Sequence, residues 1–585
     1  MVELPGGEIL FREGDTSSAL FILISGRLEA RVTGPDGLPQ VVGEIGRGES
    51  VGEMGILNGT RRGATVAALR DSVLAQIDLA TVRALLKAAP ELALTLSRVI
   101  IERLQRRNTT PKPMRRVTNI AVVSVSEGFG PAAVLQPLCE ELQRQQHRVM
   151  HLTSAQIDAV AGRIGAAQAT DDDPGAHFWL VNYLNDLETR YALVFYEADV
   201  APTAWTHRCL RQADEVVLLA RATASPELSA VEHTCLTGST TRVRQTLVLL
   251  HAADSVWPEG TLPFLARRPT VHRHHHVRIG HQADMARLGR FLSGTAVGLV
   301  LAGGGARGLA HIGVFRALEE AGVPIDCFGG TSIGAVLAAC MACGRGWQTI
   351  YRESKRDFLS NPTSDFNVLP LISLLAGRKL DRLLTASFAK RHIEEMWHPF
   401  YCVSSNYTQA CEVVHRRGAI KQAMLASMAI PGVFPPVVFG NDLLVDGSVF
   451  NNLPADIMVG TGVQTILAVD LRTTDEAHPD LAFTQMPQTW ALLADRFRPL
   501  PKRRYPVPSL LTILTTVHTL TSRQKTSQVS GAVDVLFNPD VKRFGMLEWK
   551  AYDLLVNEGY RHAREKLARN PWPFRVPDPP QGPLL

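Results

Sequence analysis

Cysteine is scarce in this chain of 585 residues, with eight at positions 139, 209, 235, 327, 340, 343, 402 and 411. Their low density and irregular spacing exclude a disulfide framework and favour a reducing compartment. An excess of one charge is also absent, since 61 Lys and Arg stand against 56 Asp and Glu, a formal net charge of +5. So small an excess does not indicate a nucleic-acid partner, and we expect none.

Long uninterrupted hydrophobic runs are missing as well. The first residues, MVELPGGEILFREGD, lack a basic stretch followed by an apolar one, so we expect no signal peptide. Two uncharged stretches, 327–344 and 422–441, approach the roughly 20 apolar residues of a spanning helix. Glycines interrupt the first and prolines the second, so we expect no transmembrane helix and a cytoplasmic location.

Periodicity divides the chain into three regions. Residues 1 to about 70 hold short β-type runs with frequent glycine, typical of a small antiparallel roll, and a helical period follows from Leu79 to Arg107. The segment NTTPKPMRR, 108–116, is a predicted linker. Strands and helices then alternate, which predicts a doubly wound parallel sheet, until a break around LARRPTVHRHHHVRIG, 265–280. We predict domains at 1–110, 117–290 and 291–585, the last an α/β domain.

A glycine-rich turn opens the third region. In VGLVLAGGGARGLAH, 297–311, an apolar strand feeds into three consecutive glycines. Glycine lets backbone amides converge on an anion where a Cβ would obstruct them. Because Gly303, Gly305 and Gly308 also satisfy G-x-G-x-x-G, a dinucleotide turn stays open on this motif alone.

A second motif, Gly330-Thr331-Ser332-Ile333-Gly334, follows an apolar segment and precedes a helical pattern. Small flanking residues permit a sharp elbow that projects the Ser332 hydroxyl, and the Ile333 amide at the helix N-terminus can stabilise an oxyanion. A serine needs an activating base, and Asp446, at a strand end beside glycine, is the candidate. The alternative is that both glycine motifs merely close tight βα turns.

The motifs GGGARG, GTSIG and DGS, in this order, resemble the patatin-like phospholipases over about residues 296–570, with further agreement in ALEEAGVPID, ASMAIPGVFPPV and DGSVFNNLPADI. The resemblance implies a Ser–Asp dyad with Ser332 as nucleophile and Asp446 as base. It also implies an oxyanion-stabilising loop containing Gly303, Gly304, Gly305 and Arg307.

Four other residues of this region need separate treatment. Ser448 stands where that family more often has glycine or alanine, and we expect the small hydroxyl to be tolerated. His311 invites a triad interpretation, but the family does not use it, and we expect a packing or hydrogen-bonding role. Cys340 and Cys343, two turns into the helix after Ser332, are predicted to be buried thiols.

The segment VGEMGILNGTRRGATVAA, 51–68, resembles the phosphate-binding cassette of cyclic-nucleotide-binding domains. The resemblance implies that Glu53 accepts from the ribose 2′-hydroxyl and that Arg62 pairs with the cyclic phosphate. Gly52, Ala64 and Thr65 also fit the cassette, whereas Gly55 and Gly63 replace more usual small apolar residues. A roll that binds cAMP or cGMP as regulator and a roll that only packs against its neighbours both stay open.

The three regions in this order are similar to the neuropathy target esterase family of lysophospholipases, including bacterial members. The resemblance implies an esterase acting on phospholipids or lysophospholipids at the inner membrane face, without a required cofactor or metal. The alternatives are a neutral-lipid or generic carboxylesterase and, outside enzymes, a cyclic-nucleotide sensor or scaffold with a silent hydrolase domain. The oligomeric state is left open.

Three further features carry weaker hypotheses. The segment SVSEGFGPAA, 124–133, has no G-K-[ST], so nucleotide hydrolysis is unsupported. The histidines at 272, 274, 275 and 276 lack other ligands at suitable spacing, and we expect no metal there. The basic run 496–520 is predicted either as a solvated loop before a core helix or as an interfacial docking segment.

Overall fold

The computed structural model describes residues 1–34, 39–89, 118–170, 172–237, 243–472 and 530–569, with isolated positions between 488 and 525. The chain forms two compact units that divide between Gly294 and Thr295. The predicted linker at 108–116 and the basic run 496–520 lie outside the described residues, as does the predicted helix beyond residue 89.

The first unit begins with the predicted roll, which is confirmed. Its six strands pair antiparallel and are β1 Val2–Leu4, β2 Ile9–Phe11, β3 Ala19–Thr33, β4 Pro39–Ile45, β5 Ser50–Val51 and β6 Thr65–Asp78. The helix Glu53–Asn58 precedes β6, and the helix Leu79–Ala88 follows it. Alternate side chains of the long strands, including Leu23, Leu28 and Leu74, point into one core.

The rest of the first unit is the predicted doubly wound sheet. Its strands are β7 Asn119–Ser124, β8 Val149–Leu152, β9 Leu193–Glu197, β10 Glu215–Arg221, β11 Arg244–His251 and β12 Val271–Arg278. All pairs are parallel in the order β12-β11-β10-β7-β9-β8. The helices are Ala132–Arg144, Ser154–Ala161, Pro174–Arg190, Ala204–Gln212, Thr261–Arg267 and Gln282–Ser293. Two apolar clusters take alternate residues of each strand, so the strands are buried on both faces.

The prediction of a break at 265–280 is wrong. A helix, Thr261–Arg267, leads into β12, a strand at the edge of the sheet. Histidine counts as polar in a sequence pattern, but these rings are packed: His275 lies 4.5 Å from the Phe291 ring, and His251 Nε2 lies 3.1 Å from His276 Nδ1. Burial lowers the pKa of His251 to about 4, so this ring is neutral at pH 7.

The second unit is an eight-stranded mixed sheet with helices. Its strands are β13 Val297–Leu301, β14 Cys327–Thr331, β15 Phe400–Asn406, β16 Cys411–His415, β17 Val437–Phe439, β18 Asp442–Asp446, β19 Thr465–Val469 and β20 Val535–Phe537. The order is β17-β18-β15-β14-β13-β19-β20, with β16 beside β15. The strands from β15 to β20 along this order are parallel, and β16, β17 and β18 pair antiparallel.

The helices of this unit are Ala310–Glu320, Ile333–Ala342, Trp347–Leu359, Arg378–Phe388, Ile420–Ser427, Ala455–Val459 and Tyr552–Arg569. The glycine turn follows the carboxyl end of β13, and Ser332 follows the carboxyl end of its neighbour β14. Within the ranges that the structure describes, no helix combines the length and hydropathy that crossing a membrane requires.

Candidate active site

Ser332 occupies a strained turn between β14 and the helix Ile333–Ala342. Its φ of 55° and ψ of −128° are unusual for a residue with a side chain and are typical of a nucleophile elbow. A Cβ on Gly330 would lie 2.7 Å from the carbonyl carbon of Gly334, and one on Gly334 would lie 2.3 Å from the Leu301 oxygen. The turn therefore closes only because both flanking positions are glycine.

A second serine holds the elbow. The Ser332 amide donates to Ser427 Oγ at 2.9 Å, and Ser427 Oγ donates to the Val403 oxygen at 2.7 Å. Ser427 is the buried last residue of the helix Ile420–Ser427. Sequence reasoning assigned no role to Ser427, although it lies in the quoted motif ASMAIPGVFPPV.

Asp446 lies at the end of β18 and is fully buried. In β15, Ser404 is in register with Asp446, and the preceding Val403 is in register with Thr331 of β14. A Cβ on Gly447 would lie 3.0 Å from Thr331 Cγ2. The structure thus brings the loop that begins at Asp446 into contact with the elbow.

The glycine turn lies against the candidate nucleophile. A Cβ on Gly303 would lie 3.2 Å from the Ser332 Cβ, and one on Gly305, whose φ is 57°, would lie 2.3 Å from the Met546 oxygen. Asn452 holds the turn by two hydrogen bonds of 3.3 Å: its side-chain Nδ2 donates to the Gly303 oxygen, and its backbone carbonyl oxygen accepts from the Gly303 amide. Side chains larger than hydrogen would push this backbone away from Ser332.

The remaining predicted oxyanion residues lie next to this turn. Gly304 approaches Leu471, whose Cδ1 would lie 2.8 Å from an added Cβ. Arg307 Nε donates to the Phe544 oxygen at 2.8 Å, and burial lowers the pKa of this guanidinium. Arg307 therefore ties the turn to a distant segment, a contact that the sequence did not predict. Ile333 is buried as the first residue of the helix after the elbow.

His311 supports the same turn from behind. Its Nε2 donates to the Ala302 oxygen at 2.8 Å, and burial lowers its pKa to about 4, so the ring is neutral at pH 7. The expected hydrogen-bonding role is confirmed. Burial likewise raises the pKa of the Cys340 thiol, to about 11, and that of Cys343. Cys343 is buried as predicted, whereas Cys340 is half-buried.

The cassette residues of the roll also lie close together. Gly52, with φ 88°, begins the turn before Glu53, and both Glu53 and Arg62 are buried. Arg62 donates from Nη1 to the Gly52 oxygen at 3.0 Å and from Nη2 to the Ala19 oxygen at 2.6 Å, and its guanidinium lies 4.2 Å from the Phe11 ring centre. Burial lowers the pKa of Arg62, and the Glu53 charge opposes that shift.

The other cassette positions have structural explanations. Thr65 begins β6, where its Oγ1 accepts from the Glu13 amide at 3.0 Å, and Ala64 immediately precedes it. Gly55 lies in a crowded place, since an added Cβ would lie 2.1 Å from Ser17 Oγ and 3.1 Å from the Thr60 oxygen. Among the described residues, no group of three or more His, Cys, Asp or Glu side chains could hold a metal ion.

Comparison with known proteins identifies three family models along the chain. They are a cyclic nucleotide-binding domain at 1–89, a Neuropathy Target Esterase family P-loop like domain at 116–294 and a patatin-like phospholipase at 299–459. Although the second family model is described as P-loop like, the strand-to-helix turn of this region, 124–133, contains no G-K-[ST].

Curated relatives match nearly the whole chain. Lysophospholipase NTE1 of Mycosarcoma maydis is 30% identical over 97% of this chain and 34% of its own length. Patatin-like phospholipase domain-containing protein 6 of Homo sapiens is 29% identical over 95% of this chain and 44% of its own. The chain thus spans less than half the length of these relatives.

Among solved structures, the crystal structure of Thermus thermophilus Catabolite Activator Protein matches 18% of this chain and 50% of its own, at 28% identity and a TM-score of 0.18. The chain therefore combines a cyclic nucleotide-binding domain, a Neuropathy Target Esterase family P-loop like domain and a patatin-like phospholipase domain, and it is similar over most of its length to lysophospholipase NTE1 and patatin-like phospholipase domain-containing protein 6.

Proposed function

We propose that this protein is a serine hydrolase that cleaves a carboxylic ester of a phospholipid or lysophospholipid. The observation that carries the proposal is the packing of three motifs around Ser332: the strained elbow, the Gly303 turn against its Cβ, and the loop that begins at Asp446. Gly303 lies 29 positions before Ser332, and Asp446 lies 114 positions after it. Unrelated tight turns would not be expected to pack against one elbow in this way.

The chemistry follows from the groups present. Ser332 Oγ attacks the acyl carbonyl carbon as Asp446 takes the hydroxyl proton. Backbone amides of the glycine turn and of Ile333, at a helix N-terminus, stabilise the oxyanion that forms. The ester C–O bond then breaks, the leaving alcohol takes the proton from Asp446, and water releases the fatty acid from the acyl-enzyme by the same two steps.

The names of the relatives support the substrate class, since some are lysophospholipases and others are patatin-like phospholipase domain-containing proteins. A neutral-lipid or generic carboxylesterase is the alternative within enzymes. On this proposal the protein requires no metal or cofactor, acts in the cytoplasm at the inner membrane face, and divides into domains at 1–110, 117–290 and 291–585.

The test compares fatty-acid release from lysophosphatidylcholine and from diacyl phospholipid by wild type, Ser332→Ala and Asp446→Ala. Asp442→Ala is the matched control, since Asp442 begins the same strand β18 but its side chain contacts only the exposed Gln409 amide in the described structure. Loss of release in the first two variants and retention in the control supports the dyad. A folded wild type that hydrolyses neither lipid but cleaves a triacylglycerol would favour the neutral-lipid alternative.

A second function is favoured by the roll. We infer that a cyclic nucleotide, cAMP or cGMP, binds at Arg62 and regulates hydrolysis. Nε of Arg62 is buried and has no hydrogen-bond partner among the described residues, so the guanidinium retains a donor for an anion. Calorimetry with cAMP and cGMP on wild type and Arg62→Ala tests binding. If a nucleotide binds but does not change the rate of hydrolysis, the roll is a sensor or scaffold and does not regulate the enzyme.

A further inference from the structure

An unusually apolar loop protrudes from the second unit. In the sequence FNVLPLI, 366–372, five large side chains are mostly exposed: Phe366 at 72%, Val368 at 104%, Leu369 at 71%, Leu371 at 83% and Ile372 at 72%. Soluble proteins expose single apolar residues routinely, but a contiguous set of this kind marks a contact surface. We refer to residues 366–372 as the apolar loop.

The apolar loop is anchored at its base. Phe366 and Leu375 form an antiparallel bridge, and the Asn367 amide donates to the Leu374 oxygen at 2.9 Å. Asn367 Nδ2 also donates to the oxygen of buried Ser373 at 2.9 Å. The exposed side chains therefore stand on a hydrogen-bonded hairpin, which presents them in a fixed place.

The base of the apolar loop is joined to the candidate active site. The Leu374 amide donates to the Gly432 oxygen and the Leu375 amide to the Val433 oxygen, each at 2.9 Å. The segment 427–433 that accepts these bonds begins with Ser427, which holds the Ser332 amide. The same segment supplies the Ala429 oxygen that accepts from the Asp446 amide at 2.9 Å.

Positive charge accompanies the exposed apolar surface. From residue 365 to residue 392 the sequence contains cations at 378, 379, 382, 390 and 391 and two carboxylates, Asp365 next to the apolar loop and a second at 381. That carboxylate, Asp381, is paired with Lys421. Arg378 and Arg382 are exposed and line a cleft with Phe434 and Pro435. Apolar residues beside a cationic rim complement the acyl boundary and the anionic headgroups of a membrane surface.

We propose that the apolar loop inserts into an anionic phospholipid surface and docks the second unit there. The choice of lipid as the occupant rests on the function proposed above, because a phospholipid esterase must meet its substrate at such a surface. The placement of the loop rests on exposure, anchoring and charge. A second copy of this chain is the competing occupant, and the experiments below separate the two.

The first experiment is sedimentation of the full chain with vesicles of phosphatidylcholine and phosphatidylglycerol. In the double variant Val368→Asp with Leu371→Asp, vesicle partitioning falls by at least about tenfold, because two apolar groups become charged. The matched control is Ile164→Asp with Val256→Asp, two residues of the first unit that are 95% and 87% exposed. The control retains wild-type partitioning. Equal partitioning by the loop variant and wild type would overturn the proposal.

The second experiment tests insertion and charge. The variant Leu371→Trp shows fluorescence quenching by brominated phosphatidylcholine beyond that of wild type, and no added quenching counts against insertion. Arg378→Glu with Arg382→Glu reduces binding to vesicles containing phosphatidylglycerol more than binding to pure phosphatidylcholine. An equal loss of binding to both kinds of vesicle would show that the two arginines do not act by attracting anionic headgroups.

Two controls keep the conclusions separate. Sedimentation velocity without lipid gives the same molecular mass for wild type and for the loop variant; a smaller mass for the variant would assign the loop to a second copy of the chain. Hydrolysis of a soluble short-chain ester is unchanged in the loop variant. If neither protein hydrolyses that ester while only wild type binds vesicles, docking stands and the esterase proposal fails. If both hydrolyse the ester and bind vesicles equally, the esterase proposal survives and docking fails.

Discussion

Ser448 donates two hydrogen bonds to one carboxylate oxygen of Asp446, from its amide at 2.8 Å and from its hydroxyl at 2.6 Å. Hydrogen bonds to an ionised acceptor are stronger than those between neutral groups. The two bonds therefore fix the carboxylate plane of the candidate base. Glycine or alanine at position 448 would supply only the backbone donor, so the serine adds an orienting contact.

We expect Ser448→Ala to lower kcat for ester hydrolysis by about two- to tenfold, which corresponds to one lost hydrogen bond. The KM for a soluble ester stays unchanged, because Ser448 contacts the base. Ser448→Thr, which keeps the hydroxyl, retains more of the activity. The measurement is steady-state hydrolysis by the three proteins, and an Ala variant as fast as wild type would show that the hydroxyl has no positioning role.

Gly334→Ala should destabilise the second unit by about 3 kcal/mol, the cost of overpacking a closed site. The added Cβ would meet the Leu301 oxygen at 2.3 Å, and backbone cannot yield as a side chain can. Gly460→Ala is the control, since the nearest atom to its added Cβ is 3.7 Å away. Urea unfolding measures both. Similar stability in the two variants would contradict the geometry of the elbow.

Glu188→Ala should destabilise the first unit by about 3 kcal/mol, because it removes one of the two carboxylates, Glu188 and Asp214, that pair with the buried Arg70 guanidinium. Arg70 of β6 donates to Glu188 from Nη1 at 2.8 Å and from Nη2 at 3.0 Å, and both side chains are buried. The control is Asp186→Ala on the same helix, which breaks an exposed pair with Arg190 and should cost less than about 1 kcal/mol.

Hydrogen exchange across residues 65–78 and 174–190 reports this difference locally. Faster exchange in both segments is expected for Glu188→Ala, since the ion pair joins the roll to the doubly wound sheet within one compact unit. Exchange that rises in neither segment would show that Arg70 finds another acceptor at no cost.

The second unit should lose stability as the pH falls from about 6.5 towards 4. Burial lowers the pKa of both His311 and His415 to about 4 in the folded chain, below the value of about 6.5 in an unfolded one. Between these values the unfolded chain binds protons that the folded chain does not, so the free energy of unfolding decreases as pH falls. Each histidine contributes at most about 1.4 kcal/mol per pH unit.

In the variant His311→Gln, the free energy of unfolding should fall less steeply between pH 7 and pH 5, because one of the two titrating histidines is gone. Urea unfolding at several pH values measures this slope. The variant leaves the shape of the kcat pH profile unchanged, since the proposed dyad contains no histidine. A profile that loses a limb near pH 6.5 would place His311 in the reaction instead.

Local spacing was sufficient to predict the elbow around Ser332, which is encoded within a few consecutive residues where glycine and turn chemistry act directly. The cassette around Arg62 was recognised by its resemblance to a known family. Their supporting contacts were not predictable in this way. Ser427 holds Ser332 across 95 positions, and Arg307 reaches the Phe544 oxygen across 237. Such partners are selected by tertiary packing, which a single sequence does not display.

Two stretches show the limits of hydropathy. The histidine-rich segment around His275 is a packed edge strand although its composition is polar, because the His275 ring packs against Phe291 and burial lowers its pKa. The apolar loop has the composition of a core segment although it is exposed. Hydropathy gives the preference of each side chain for water or for an apolar environment, but the tertiary fold determines which environment it has.

The segment 427–433 connects the base of the apolar loop to the candidate active site by hydrogen bonds. It accepts hydrogen bonds from Leu374 and Leu375 on one side, and it holds the Ser332 and Asp446 amides on the other. One short stretch of backbone therefore helps to set the positions of both the candidate nucleophile and the candidate base, and a shift of that stretch would displace the two together.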